Sequence, residues 1–505
     1  MTVRDLFLGV DIGSGSTKGV LATAAGEIVG TAVRQHSMSL PRPGWAEFDP
    51  ETVWWDEVVS ICAELVGTAG AESVRGVCVS GVGPCLVLCD DDLKPVRPAI
   101  LYGIDMRATA EIDELTERYG AEAIIERGGK ALSSQAVGPK MLWVQRNEPQ
   151  VWERATGWYN SNSYIAARLT GEYVLDHHTA SQCDPLYDIK AADWSTDWAA
   201  EIAGGLPLPR LCWPGEQVGT VTAAASAATG LRVGTPVMAG TVDAWAEAFS
   251  AGVRHPGDLM LMYGSTMFFV QVLQQLRVHP LLWTTSGVEP GSITLAAGMA
   301  TSGSITGWLR DLTGGVPFET LMAEAAEVPP GSDGLLLLPY FAGERTPIFD
   351  PDARGVVAGL TLRHRRGHLM RAVYEGIAFG IRQILEFIED DTDPTRRLVA
   401  VGGGTQGGLW TQIVSDVCDR PQQLPESTIG ASYGDALLAA IGTGAVDSST
   451  DWATVERVVE PDPGTREVYD QLYRGYSDLY PATRPQMHLL AQVQQSRFAT
   501  ESQPS

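Results

Sequence analysis

Asp11 closes an apolar run, and a knot of Gly, Ser and Thr follows it at once in GVDIGSGSTKGVL, residues 9–21. Backbone N–H groups in such a tight turn point outward and, with the hydroxyls, can cradle phosphate oxygens. A carboxylate alone would repel a phosphate. It becomes useful if Mg²⁺ lies between them, because Mg²⁺ keeps several waters and takes one or two carboxylates together with phosphate. Lys18 would add local positive charge. The plain alternative is a β-hairpin with an Asp in its turn.

A second acid with chemical potential is Asp243, in GTPVMAGTVDAWAEAFSAG, residues 234–252. Here an apolar run meets Gly240-Thr241, and Asp243 opens a helix of small residues. One reading is a helix cap. The other is a general base that takes the proton of a hydroxyl as it attacks phosphorus, a recurring part of phosphoryl-transfer sites. Ala244, Ala246 and Ala248 would leave room beside the acid.

Other phosphate signatures fit less well. The first stretch is not GxxxxGK[ST], since no glycine directly precedes Lys18. Residues 402–407, GGGTQG, satisfy GxGxxG, but a dinucleotide fold needs more βαβ units than the remaining ~100 residues hold. HExxH and Cys/His ligand spacings are absent, and the eight His are dispersed.

These acids must be positioned by strands and helices. LFLGV and TKGVLAT read as two strands around the glycine turn, and GEIVGTAVRQH continues an antiparallel meander. ETVWWDEVVSICAELVGTAG has apolar residues at helical spacing and ends in Gly. VRGVCVSGVG and CLVLCDDDLKPVRPAILY return to strands, and 106–128, 139–155 and SNSYIAARLTG read as helices. After a Gly- and Pro-containing break at 250–259, GDLMLMYGSTMFFVQVL repeats the pattern of residues 6–21. Further on, HLMRAVYEGIAFGIRQILEFIED is the clearest amphipathic helix. RLVAVGGGTQGGLWTQIVSDVCDRP reads as strand, glycine turn and helix, and ASYGDALLAAIGTG as a small-residue helix closed by Gly.

A chain of 505 residues exceeds what one core usually supports, so two α/β domains are expected. We place them at 1–252 and 253–487, with a polar, flexible tail at 488–505. The 36 basic and 61 acidic residues give a net charge of −25. Such a surface repels nucleic acid and anionic lipid, so an anionic ligand needs a local site. Seven scattered Cys without a CxxC suit reduced thiols and a cytoplasmic setting. No apolar run approaches the ~20 residues of a membrane span.

Taken together, these segments resemble the FGGY carbohydrate kinases of the actin/hexokinase/Hsp70 ATPase superfamily, and among them the xylulose kinases. Residues 9–20 are similar to the family's first phosphate motif. RPGWAEFDPETVWW resembles its Gly-Trp-x-Glu segment, and GTVDAWAEA its catalytic-aspartate segment. GVVAGLTLRHRRGHLMRAVYEGIAF matches the long C-terminal signature at Gly355, Val357, Gly359, Leu360, His368, Leu369, Ala372 and Glu375. FAGERTPIFDPDARG and VGGGTQGGLWTQIVSDV are also family-like, and the order is right from about residue 6 to 445.

The resemblance implies two ribonuclease-H-like domains with an ATP and sugar cleft between them. It implies Mg²⁺ on Asp11, phosphate contacts from Gly13, Ser14, Ser16, Thr17 and Lys18, and further phosphate contacts from Gly264, Ser265 and Thr266. Gly403, Gly404 and Thr405 would approach the adenosine, and Asp243 would be the base and touch the sugar. The expected partners are ATP and a small sugar, with no nucleic acid and no membrane; a homodimer is an expectation that no motif tests.

Departures from the family pattern concern the acceptor. Xylulose kinases generally carry Gln-Met-His, and glycerol kinases Gln-Arg-Glu, where this chain has Val82-Gly83-Pro84. Losing buried donors and acceptors changes which polyol is accepted. Gly83 and Pro84 would therefore meet the sugar through backbone. Asp105 and Arg107, in LYGIDMRA, resemble the Trp-x-Asp-x-Arg of pentulose kinases with Tyr102 in place of Trp. They would contact the sugar or else form an ion pair with each other, while Trp45 and Glu47 would line the pocket. Ala244 replaces a polar residue after the base. The reading is ATP-dependent phosphorylation of a small sugar, a ketopentose such as xylulose first. A polyol or sugar acid of the erythritol, ribitol or gluconate type comes next. A sensor or chaperone-like ATPase of the superfamily and a dinucleotide oxidoreductase are the readings from other classes.

Overall fold

The computed structural model describes residues 4–389, 394–426 and 429–501. They form two compact units. The first comprises residues up to Arg254 together with Gln275–Thr294 and Ile429–Ala453. The second comprises His255–Gln274, Leu295–Thr428 and the chain from Thr454 onward.

The first unit is built on a sheet in which Leu6–Ile12 is central. Its strands run in the order Gln217–Thr220, Pro236–Met238, Val74–Gly81, Leu6–Ile12, Ser16–Thr23, Ile28–Gln35. Leu6–Ile12 pairs antiparallel with Ser16–Thr23, setting Asp11 opposite Lys18. On its other side it runs parallel to Val74–Gly81, setting Asp11 opposite Ser80. Every residue of the central strand is buried, which is why it reads as an unbroken apolar run rather than an alternating one.

Successive side chains leave a strand on opposite faces. Leu6, Leu8, Val10 and Ile12 join one core with Trp54, Ile61 and Leu65, the last two from the helix Asp56–Ala69, which stops at Gly70. Phe7 joins another with Ala436, Leu437 and Ala440. Asp11 lies on the Phe7 face, two residues beyond Gly9.

That face is covered by the helix Ala431–Gly442. It comes so close that a Cβ at Gly9 would overlap the Ser432 carbonyl and the Ala436 nitrogen. The same helix meets Asp243–Ser250 through Gly434, where a Cβ would overlap the Ala246 carbonyl. Small residues thus bring three backbones together beside Asp11.

The second unit repeats the opening device. Asp258–Tyr263 pairs antiparallel with Met267–Leu273 and runs parallel to Arg397–Val401. The helix Arg366–Ile388 buries Val373, Ile377, Ile381, Ile384, Leu385 and Ile388 of its predicted apolar face, but Leu369 is half-buried and every residue from Met370 to Ile381 is buried, so its middle is enclosed on all sides rather than amphipathic. Among the described residues no helix is long and apolar enough to cross a membrane, and all seven cysteines are free thiols.

The described residues group less simply than two consecutive spans. The break near 252/253 has its counterpart at Arg254/His255, but Gln275–Thr294 and Ile429–Ala453 group with the first unit. The physical reasons are specific. Ala431–Gly442 covers Gly9, the Ser286 carbonyl accepts from His178 Nδ1 (2.7 Å), and Thr294 Oγ1 accepts from Trp245 Nε1 (2.8 Å). Nor does the chain change character at 488, because the helix Arg466–Glu501 runs through it. There His488 Nε2 donates to Asp350 (2.7 Å) and Gln495 to Asp352 (3.0 Å).

Candidate active site

Asp11 is only 7% exposed, and its Oδ1 is a buried oxygen without a hydrogen-bond partner among the described residues. Burial, then the fields of Asp243 and Asp435, hold its carboxyl well above the usual range, with Glu247 adding and Lys18 opposing. A buried, unsatisfied carboxylate oxygen costs free energy unless a cation or proton meets it. A hard oxygen donor of this kind suits Mg²⁺. Among the described residues no three Asp, Glu, His or Cys side chains converge to hold one metal.

Asp243 is the first helical residue, with Val242 at the cap position. The capping alternative is therefore only partly realised: Oδ1 accepts from the Ala244 N–H (2.7 Å). Burial pushes its carboxyl up to about 6, against the Ala244 hydrogen bond and Lys18. A carboxylate poised near neutrality is what a general base needs.

The approach to Asp243 is braced from behind. Gly240 has φ +70°, and a Cβ there would overlap the Val79 carbonyl. The Thr241 hydroxyl donates to Asp176 Oδ1 (2.9 Å), which also accepts from the Thr179 N–H (3.0 Å). Asn162 donates to Asp176 Oδ2 (2.9 Å), and the Thr241 carbonyl accepts from the Gly81 N–H (3.1 Å).

Two further acids stand here that sequence reasoning missed. Glu247 lies one helical turn after Asp243, and burial together with the Asp243 field pushes it up to about 7, with Lys18 opposing. Asp435 accepts from the Ser80 hydroxyl (2.6 Å) and N–H (3.1 Å) and from the Cys78 thiol (3.7 Å). Burial pushes it up to about 8 against those hydrogen bonds, and Asp243 adds to the rise. The i,i+4 spacing could have revealed Glu247. Nothing local could have revealed Asp435.

The turn after Asp11 is closed by Gly13 N–H donating to the Ser16 carbonyl (3.0 Å). Ser14 and Lys18 are exposed, and Gly13 and Ser16 half-buried. Thr17 differs from its neighbours. It is buried, and its hydroxyl donates to Glu57 (2.6 Å), which also takes His36 Nδ1 (2.9 Å). His36 Nε2 in turn donates to the Gly13 carbonyl (2.9 Å). Thr17 thus anchors the turn through Glu57 rather than presenting its hydroxyl with Ser14 and Ser16.

Among the sugar-contact candidates, Asp105 and Arg107 have fully buried side chains bonded to each other (2.7 Å). Asp105 also accepts from the Ala46 N–H (2.7 Å), and Arg107 pairs with Glu47 (2.8 Å). The guanidinium lies 4.0 Å over the Trp45 ring, and Trp45 meets Trp143 edge-on at 5.2 Å. The ion-pair alternative describes these side chains. In the loop at 82–85, the Val82 carbonyl accepts from Ser161 Oγ (2.6 Å), and the Cys85 N–H donates to Asn160 (2.6 Å). Gly83 and Pro84 stand between them, joined by a cis peptide bond.

In the second unit, Gly264 N–H donates to the Thr266 carbonyl (3.1 Å), leaving Ser265 and Thr266 exposed. This turn rests on the start of the helix Gly303–Leu312, whose Gly303 N–H donates to the Gly264 carbonyl (3.1 Å). Gly403 and Gly404 sit in the turn between Arg397–Val401 and Leu409–Cys418. Cβ atoms at Gly402 and Gly404 would press on Tyr263, so the two glycine turns are neighbours. Thr405 is buried, and its hydroxyl is spent on the Gly402 carbonyl (2.8 Å).

Comparison with known proteins agrees along most of the chain. The description "FGGY family of carbohydrate kinases, N-terminal domain" matches residues 6–250, and its C-terminal counterpart matches residues 259–443. The xylulose kinase of Lactococcus lactis is 30% identical over 96% of this chain and 98% of its own. A glycerol kinase of Nocardia farcinica is 29% identical over 89% of this chain and 93% of its own. The crystal structure of a xylulose kinase from Rhodospirillum rubrum superposes with a TM-score of 0.88 at 36% identity, covering 96% of this chain and 100% of that one. Strand, turn and acid recur here in the family's order, so the chain belongs to the FGGY carbohydrate kinases, with their two-domain actin-like ATPase fold.

Proposed function

We propose that the protein transfers the γ-phosphoryl group of ATP to a hydroxyl of a small sugar, with a ketopentose of the xylulose type as the first candidate. The observation that carries this reading is the Asp243 carboxyl at the start of its helix, with one oxygen on the Ala244 N–H and its field reaching the buried Asp11, whose Oδ1 has no partner among the described residues. The xylulose kinases among its relatives support the choice of acceptor.

In this reading the Asp243 oxygen not held by Ala244 takes the sugar hydroxyl proton. The sugar oxygen forms its bond to phosphorus while the bond from phosphorus to the β-phosphate oxygen breaks. Asp11 holds Mg²⁺, which when bound neutralises charge on the phosphate oxygens. Ser14, Ser16 and the Gly13 backbone contact phosphate, and Lys18 adds an ammonium. In the second unit, the turn at Gly264–Thr266 and the glycines 403 and 404 offer backbone close to the nucleotide. Asp105, Arg107 and Glu47 act as the brace behind Trp45 rather than as sugar ligands.

The loop at Val82-Gly83-Pro84 offers no polar side chain, so polyols and sugar acids belong in the test. ADP release is measured by a coupled assay across ketoses, aldoses, polyols and sugar acids. Xylulose is expected to give the highest kcat/KM. ADP release that no sugar stimulates would sink the kinase reading in favour of a sensor or chaperone-like ATPase.

A further inference from the structure

The turn after Asp11 is tied down at three points, and one residue takes part in all of them. His36 follows the strand Ile28–Gln35, and its backbone N–H donates to the Gly15 carbonyl (3.1 Å). Its ring Nε2 donates to the Gly13 carbonyl (2.9 Å). Its Nδ1 meets Glu57 Oε2 (2.9 Å), the oxygen that also takes the Thr17 hydroxyl (2.6 Å). Residues 13, 15 and 17 are thus held, while Ser14 between them is exposed and Ser16 half-buried. The imidazole is no surface group: the side chain is 5% exposed and meets Phe48 edge-on at 5.1 Å.

These bonds set the direction of the turn as well as its place. A carbonyl only accepts, so Nε2 carries a proton, and a second proton lies between Nδ1 and the Glu57 carboxyl. In a trans peptide the C=O of one residue and the N–H of the next point opposite ways. Drawing the Gly13 and Gly15 carbonyls toward His36 therefore turns the Ser14 and Ser16 N–H groups away from it. The Gly15 bond uses only backbone at position 36 and survives any substitution there except Pro. The Gly13 bond needs the ring. Glycine backbone turns over at little cost, and an overturned Gly13 peptide would present its carbonyl, not an N–H, to an anion.

We propose that His36 is a positioning residue for the nucleotide phosphates: its Nε2 proton locks the Gly13–Ser14 peptide with the carbonyl inward and the Ser14 N–H outward, and Glu57 holds the ring in that orientation. The inference rests on the reading of residues 13–16 as the turn that receives phosphate.

The test separates the two ring nitrogens. Gln at position 36 puts its amide about where Nε2 stands, and Asn about where Nδ1 stands, so only Gln keeps a donor for Gly13. Full-length protein is titrated calorimetrically with Mg²⁺ and adenylyl imidodiphosphate, a nucleotide that is not hydrolysed. His36→Gln is expected to bind within about threefold of the unmodified protein and His36→Asn ~10-fold or more weakly, with KM for the sugar within about twofold in both. His36→Asn binding as tightly as the unmodified protein overturns the proposal. So does an equal loss in both variants, or a loss accompanied by a matching rise in KM for the sugar. Should His36→Asn not fold, His36→Gln decides alone: retained affinity upholds the proposal, and a ~10-fold loss overturns it. No binding by the unmodified protein overturns both this inference and the nucleotide reading beneath it. Nucleotide binding without sugar-stimulated ADP release fails the kinase reading alone and leaves the comparison of variants intact.

Discussion

Each unit opens with a hairpin whose turn starts on glycine, and the two turns differ in one respect that matters. In the first, Asp11 stands two residues before Gly13; in the second, Met262 stands two residues before Gly264. Both turns close with the glycine N–H on a carbonyl, 3.0 Å to Ser16 and 3.1 Å to Thr266. Both hairpins run parallel to a third strand, Val74–Gly81 in one and Arg397–Val401 in the other. The backbone device is duplicated, whereas the charge is assigned once. Outward N–H groups suffice to receive an anion; moving a proton and holding a cation needs carboxylates, and the first turn brings its own in Asp11 where the second has Met262.

The sharpest way to break this asymmetry is Asp243→Asn, which removes the base while keeping its shape. Turnover should fall by ~10²–10⁴, with a melting profile close to that of the unmodified protein. Near-normal turnover would take Asp243 out of the reaction. Asp11→Met, which gives the first turn the residue of the second, should lower kcat by ~10² or more through loss of charge stabilisation. Its Tm should hold or rise, because an unsatisfied buried carboxyl is removed. A large fall in Tm with turnover preserved would mean that Asp11 serves the fold instead.

The acidic cluster also predicts a pH signature. Asp243 must be ionised to accept a proton, so kcat/KM should decline as pH falls through about 6. Stability runs the opposite way. Asp243, Glu247 and Asp435 are raised to about 6, 7 and 8, above the carboxylate values of an unfolded chain near ~4. The native state therefore keeps protons that the unfolded state gives up. This contribution is fully present below the unfolded pKa and is lost as pH rises through the folded values. Melts of the ligand-free protein between pH 5 and 9 should show Tm decreasing, and Asp435→Asn should flatten the part nearest pH 8. A Tm that rises across that interval would contradict the raised values.

The smallest effects separate close approach from open space within one hairpin. Gly9→Ala forces a Cβ into Ser432 and should cost ~1–3 kcal/mol or more. Gly15, four residues past Asp11, has nothing within 4 Å of an added Cβ. Gly15→Ala should therefore stay within about 0.5 kcal/mol in a denaturant titration.

Asp11 and Asp243 were legible because each acid interrupts an apolar or small-residue run, where a carboxylate is conspicuous. The second hairpin was legible for the same reason: its pattern of strand, Gly-Ser-Thr turn and strand repeats the first. Thr17 lies between Ser16 and Lys18 on a strand, so period-two alternation already implied that it faces the other way. The spacing of Asp105 and Arg107 disclosed a pair. That the pair would be spent on the Ala46 N–H, Glu47 and Trp45 is a matter of tertiary packing, which spacing does not encode. Asp435 was out of reach altogether, since its partners Ser80 and Cys78 lie some 355 residues earlier.

The helix over Gly9 carries one more consequence, for synthesis on the ribosome. Domains generally fold as units, the N-terminal one first, while the chain emerges. Here the lid of the opening strand is encoded at 431–442 of 505 residues, so a nascent chain of the first 254 residues exposes Phe7 and its neighbours until that late helix has been made. A truncated 1–254 fragment should accordingly be sticky and recruit chaperones, and adding a peptide of residues 429–453 should quieten it.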